Sequence, residues 1–177
     1  MASLSRILKQ LSEVTGKLVA WLTLPMVLGT FVVVVLRYAF DLGWIWMQES
    51  VVWLHAVVFM LAGAYTFNAD EHVRVDIFYR QMSSLRRAWV NLIGTLLFLL
   101  PVCLFMLVTS ADYVAVSWTI GEGSREAGGL PFPFVPLLKS MIPLAFILLI
   151  GQGIATLIDS GFVIRGHTDD PGSDDDA

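Results

Sequence analysis

Four long apolar stretches make up most of this chain, and its charges are confined to the segments between them. A helix needs about 20 predominantly apolar residues to cross the hydrocarbon core of a bilayer. Leu18–Leu36, Ser50–Phe67, Ala88–Val108 and Met141–Ile158 each meet or approach that length. The sequence therefore predicts an all-α integral membrane protein of four transmembrane helices. The spans fall at about 18–36, 50–67, 88–108 and 139–158, and almost nothing is left for a soluble domain.

Composition agrees. The chain is 56% hydrophobic and only 15% charged, where a soluble domain is about 45–50% apolar and about 25% charged. Its 177 residues suffice for one four-helix bundle and no second domain. The net charge of -4 comes from Asp169, Asp170, Asp174, Asp175 and Asp176 near the end. Without them eleven basic residues face ten acidic ones, so charge points to no nucleic-acid partner and no acidic catalytic surface. Residues 161–177 read as an acidic, disordered tail. Cys103 is the only cysteine, which excludes an internal disulfide and a dithiol membrane oxidoreductase.

Leu4, Ile7, Leu8, Leu11, Val14 and Leu18 recur at helical spacing, with Arg6, Lys9 and Gln10 on the other side. Residues 1–17 are therefore expected to form a short amphipathic helix at the membrane interface, preceding the first span. That first span is expected to be retained and not cleaved: the apolar stretch is too long for an ordinary signal peptide, and no small-residue cleavage site comes after it. Pro25 is tolerable there as a kink or within a first turn. Trp44 and Trp46 read as an interfacial belt. Ala62-Gly63-Ala64 would let a neighbouring helix approach closely. Gly121, Gly123, Gly128, Gly129, Pro131, Pro133 and Pro136 exclude a regular helix through Gly121–Pro136, and the last helix is expected near Leu137. With both termini cytoplasmic, the inner side holds Arg6, Lys9, Lys17, Arg74, Arg80, Arg86, Arg87 and Arg165. The outer side then holds Arg37, Arg125 and Lys139. That bias favours cytoplasmic termini.

Few residues carry candidate chemistry. His55 lies within the second span. It reads as a haem ligand, metal ligand or proton relay, or as a hydrogen-bonded histidine inside the bundle. Bis-histidine haem would need a second embedded histidine, and His72 and His167 fall outside the spans. Arg37 and Glu49 end two consecutive helices on the same side, so an ion-pair staple between them is expected, with separate hydration as the alternative. His72, Arg74 and Asp76 read as a solvated cytoplasmic turn that binds lipid phosphates or a partner, since Arg74 argues against a bound cation. Asn91 and Gln152 can bond across helices. No phosphate loop, nucleophile–base pair or paired acid is present. A subunit of a larger assembly is the natural reading, since a transport site usually requires inverted repeats and broken helices.

Three strings add to this. Leu36-Arg37-Tyr38-Ala39-Phe40, Trp46-Met47-Gln48-Glu49 and His72-Val73-Arg74-Val75-Asp76 occur in this order between the spans. The chain thereby resembles the DctQ-like family, the small membrane subunit of tripartite ATP-independent periplasmic (TRAP) transporters, over roughly residues 15–160. Gly123-Ser124-Arg125-Glu126-Ala127-Gly128-Gly129-Leu130-Pro131-Phe132-Pro133 resembles the branch labelled mannitol/chloroaromatic, which adds Arg125 to the interface candidates. Glu71 stands where the family often has glycine. The resemblance implies a periplasmic binding protein that captures an organic acid and a large membrane subunit that carries it with sodium. It also implies a bacterial inner-membrane location. This chain would scaffold the large subunit, with no enzyme activity, no cofactor and no sodium ligand of its own. A membrane anchor for a respiratory enzyme and an independent small transporter are the alternatives.

Overall fold

The computed structural model describes residues 2–69, 79 and 81–169. The apolar runs are helical throughout. They form α1 (Ala2–Ala20), α2 (Thr23–Phe40), α3 (Ile45–Asn68), α4 (Ser84–Gly94), α5 (Leu100–Thr119) and α6 (Phe134–Asp169). A π-helical turn, Thr95–Leu99, joins α4 to α5. Among the described residues four helical runs are long and apolar enough to cross a membrane: Ser3–Phe40, Ile45–Asn68, Ser84–Thr119 and Phe134–Gly166. The all-α, four-span architecture is the one the apolar stretches predict.

Local chemistry sets the helix ends. The proline ring of Pro25 clashes with the carbonyl four residues earlier and supplies no N–H. The break accordingly falls at Trp21–Leu22, where the Leu22 N–H turns back to the Val19 carbonyl at 2.9 Å. Pro101 presents the same problem in the third span. There the backbone widens into the π-turn just before it, and the Leu100 N–H reaches back to Thr95. Gly121 ends α5 in the left-handed region, φ 63°, and Glu122 N–H bonds the Ser117 carbonyl at 3.1 Å, a Schellman closure. The last helix starts at Phe134, before the expected Leu137. Pro136 then falls in the first turn, where no backbone donor is needed. At the other end α6 runs to Asp169, so the start of the segment read as a tail is helical.

α1, α3 and α6 pack on one another, and the remaining helices extend from this group as an open row. The central helix, α6, packs against α1, α3, α4 and α5, whereas α2 leans on α3 with a minor contact to α1. No residue of α2 is buried. One seam is built from small side chains. Ala88, Thr95, Cys103, Ser110 and Ser117 are the buried residues of the third span, at intervals of seven, eight, seven and seven. Seven residues are close to two helical turns, so these side chains face α6 in line. The single interval of eight contains the π-turn. Across the row, Val19, Val57, Leu61, Ala64, Ala145 and Leu148 form the core cluster of α1, α3 and α6. Lipid tails are as apolar as leucine, so these helices are held by close packing and hydrogen bonds, with little hydrophobic drive.

The first segment is helical, as its spacing predicts, and it packs on the last helix. Ser5 bonds Asp159 and Ser12 bonds Gln152, so α1 runs lengthwise and antiparallel to α6. Ser5 and Ser12 are turned inward and buried, while Arg6 and Gln10 stay exposed. Leu4, Ile7, Leu11, Val14 and Leu18 are exposed on the outer side. Gly16 lets α1 close on α3: a Cβ there would lie 2.3 Å from the Tyr65 ring.

Candidate functional site

Polar groups gather at the two ends of the helix row. At the end shared by both termini, Gln152 is buried and uses both ends of its amide. Its Oε1 accepts from Ser12 Oγ at 3.2 Å, and its Nε2 donates to Asn68 Oδ1 at 3.1 Å. One side chain thereby ties α1, α3 and α6, which is the interhelical role expected of it. Asp159 accepts from Ser5 at 2.6 Å and pairs with Lys9. Asn91 and Tyr79 exchange hydrogen bonds at 2.8 and 3.1 Å. Arg87 lies over the Tyr79 ring at 5.5 Å and donates to the Met82 carbonyl.

At the opposite end the loop between α5 and α6 folds back over α3. Glu49 is its anchor. One carboxylate oxygen accepts from Ser124 Oγ, and the other accepts from the Leu130 N–H at 2.7 Å. The Trp46 N–H donates to the Gly128 carbonyl at 3.1 Å, and Trp53 Nε1 donates to the Phe134 carbonyl at 3.1 Å. Only glycine fits at 129: a Cβ would lie 2.3 Å from Ser124 Oγ and 2.8 Å from the Glu49 carboxylate. Beside this clamp is an apolar hollow of about 500 Å³, lined by Val52, Trp53, Phe134 and Leu138, with Gln48, Glu49 and Ser124 among its polar residues.

A second anchor stands at the same end. Glu122 pairs with Lys139 and accepts from Ser117 at 2.6 Å. The Lys139 ammonium and then the Ser117 hydroxyl hold the Glu122 carboxyl below its ordinary value. Lys139 also sits 4.1 Å from the centre of the Tyr113 ring.

The residues singled out by the sequence are scattered over the fold. Arg37 and Glu49 form no ion pair: Arg37 is exposed at the end of α2, while both oxygens of Glu49 are taken by the folded-back loop. His55 does not lie inside the row. It is exposed on the outer side of α3 and stacks on Phe59, with ring centroids 6.4 Å apart. Trp46 is half-exposed at the start of α3, where its backbone holds the loop. Arg125 is exposed within that loop. His72, Arg74 and Asp76 lie outside the described residues. Among the described residues no group of three His, Cys, Asp or Glu side chains is placed to hold a metal. Sequence reasoning missed the Glu122–Lys139 pair. The available signal was a lone lysine at the edge of an apolar run, next to a loop carrying two acids, Glu122 and Glu126.

No curated protein matches the chain. A family comparison matches residues 26–160 to the family described as tripartite ATP-independent periplasmic transporters, DctQ component. That match takes in most of the four-span region, the Glu49 clamp and the Glu122–Lys139 pair. The chain belongs to the DctQ family, the small membrane component of TRAP transporters.

Proposed function

We propose that this chain scaffolds the large membrane subunit of a TRAP transporter during sodium-coupled uptake of an organic acid delivered by a periplasmic binding protein. The observation that carries this reading is the open helix row. α2 buries none of its residues, and large apolar side chains such as Phe31, Phe59, Phe98 and Phe105 are 64–75% exposed. Such faces suit either lipid or a large membrane partner, and membership of a three-component family favours the partner. The polar groups of the spans are mostly spent in holding helices and loops together, as in the bonds of Gln152 and Asn91. Substrate and sodium ligands then belong to the large subunit.

The location that goes with this function is the bacterial inner membrane, with both termini in the cytoplasm. The Ser5–Asp159 bond brings the two terminal helices to the same end, which is consistent with four crossings. The clamp loop then faces the periplasm, where the binding protein docks.

Proteoliposomes test the reading directly. The large subunit with this chain, given the binding protein and a sodium gradient, is expected to take up substrate, and the large subunit alone is expected to fail. Full uptake by the large subunit alone overturns the scaffold role. Alanine at His55, Asn91 or Gln152 is expected to leave the sodium half-saturation unchanged in complexes that remain intact. A shift would place this chain in the transport path.

A further inference from the structure

Among the described residues, His55 is a polar group at membrane depth without a hydrogen-bond partner. It lies ten residues into α3, about 15 Å from the helix start. Its ring is exposed and touches Phe59. The buried side of α3 carries Val57, Leu61 and Ala64. Two residues from Val57 is about 160° around a helix, so His55 points away from the row. Ionisable residues in spanning helices face protein or a water-filled cavity, because lipid tails cannot bond them.

The surface around His55 is shaped for a helix. Val52 and Phe59, 64% and 75% exposed, flank it on the same side. One turn beyond Phe59 is Gly63, where an added Cβ would meet nothing within 4 Å. Gly63 therefore does not serve packing within this chain. Towards the clamp, Gln48 and Val52 continue into the apolar hollow. From Gln48 to Gly63 the strip runs for about 22 Å, most of the hydrocarbon thickness of a bilayer.

We infer that a transmembrane helix of the large subunit lies along this strip. It donates a hydrogen bond to His55 or accepts one from it, approaches closely at Gly63 and seats an apolar side chain in the hollow. This rests on the scaffold reading and adds which face is used. A lipid in this position would leave the imidazole unbonded. Membership of a three-component transporter family supplies another membrane protein, the large subunit of the proposed function, to bond it.

The test uses both membrane subunits, co-expressed and purified together in nanodiscs. A benzophenone carried on Phe59→Cys, in a Cys103→Ser background, is expected to crosslink to the large subunit. The same label on Phe31→Cys of α2 or Phe105→Cys of α5 is expected to give at least fivefold less. His55→Leu is expected to lower recovery of the complex several-fold although leucine suits lipid better, and His55→Gln to restore most of it. Gly63→Leu has room in the isolated chain, so its melting temperature is expected to hold while the complex weakens. An intact complex that crosslinks from α2 or α5 but not from α3 overturns the assignment of this face and leaves the scaffold reading standing. Crosslinking to a second copy of the chain overturns the choice of occupant. Failure of the two subunits to co-purify at all removes both readings.

Discussion

Replacing Glu49 with alanine is expected to open the loop between α5 and α6 while leaving the helices in place. The carboxylate accepts the Ser124 hydroxyl and the Leu130 N–H, tying the loop to α3. A hydrogen bond to a charged group contributes about 1.5–3 kcal/mol. Two of them, discounted because Glu49 is partly exposed, hold the loop by about 2–4 kcal/mol. At about 1.4 kcal/mol per tenfold, exchange of the Leu130 amide through local opening should rise about 30- to 700-fold. Glu49→Gln keeps the shape and loses the charge, so its rise is expected to be smaller. Arg37→Ala should leave Leu130 unaffected, because Arg37 does not touch Glu49. Hydrogen exchange read by mass spectrometry on peptides covering 120–134, in nanodiscs, makes the measurement. Unchanged exchange in Glu49→Ala refutes the clamp. An equal rise in Arg37→Ala restores the ion pair that the sequence suggests.

Gly16→Ala pushes a Cβ to 2.3 Å from the Tyr65 ring; overpacking of this kind costs about 1–3 kcal/mol, so the melting temperature should fall, more than in Gly166→Ala, where there is open space. Glu122 titrates below its ordinary 4.5, so its support for the loop is complete above that value and is lost as pH falls through the lowered one. Acid opening of the loop, monitored by tryptophan fluorescence, should therefore flatten in Glu122→Gln. For topology, a cysteine replacing Gly123 should react with an impermeant thiol reagent in intact spheroplasts, and one replacing Ser83 should not. The reverse pattern inverts the orientation.

The four helices are legible in the sequence because the length and polarity of a spanning segment are properties of the local chain. The proline and glycine positions likewise mark where helices end, to within a few residues. Packing is less visible. In a chain this apolar most faces look alike, so hydrophobic periodicity does not say which side of α3 is covered. Periodicity alone therefore cannot tell that His55 lies outside the row. The packing face of the first helix is equally hard to read: Ser5 and Ser12 supply it, while the apolar stripe stays exposed. An Arg37–Glu49 pair assumes that helix ends close in sequence meet in space. Glu49 instead meets residues 75 and 81 positions later, through a loop whose path depends on the turns at Gly121 and Gly128.

The π-turn at Thr95–Leu99 also bears on how the chain tolerates changes in its length. It holds one residue more than an α-helix needs for the same advance. The spacing of eight between Thr95 and Cys103 is that surplus residue, and every other interval in the seam is seven. Removing one residue within 96–99 would leave five small residues in an unbroken seven-residue repeat, still facing α6. Removing one between Cys103 and Ser117 rotates the remainder of α5 by about 100° and drives bulkier side chains into the seam. A single-residue deletion scan across Ser84–Thr119 should therefore find its one permissive window at the π-turn, where the third span carries a built-in splice point.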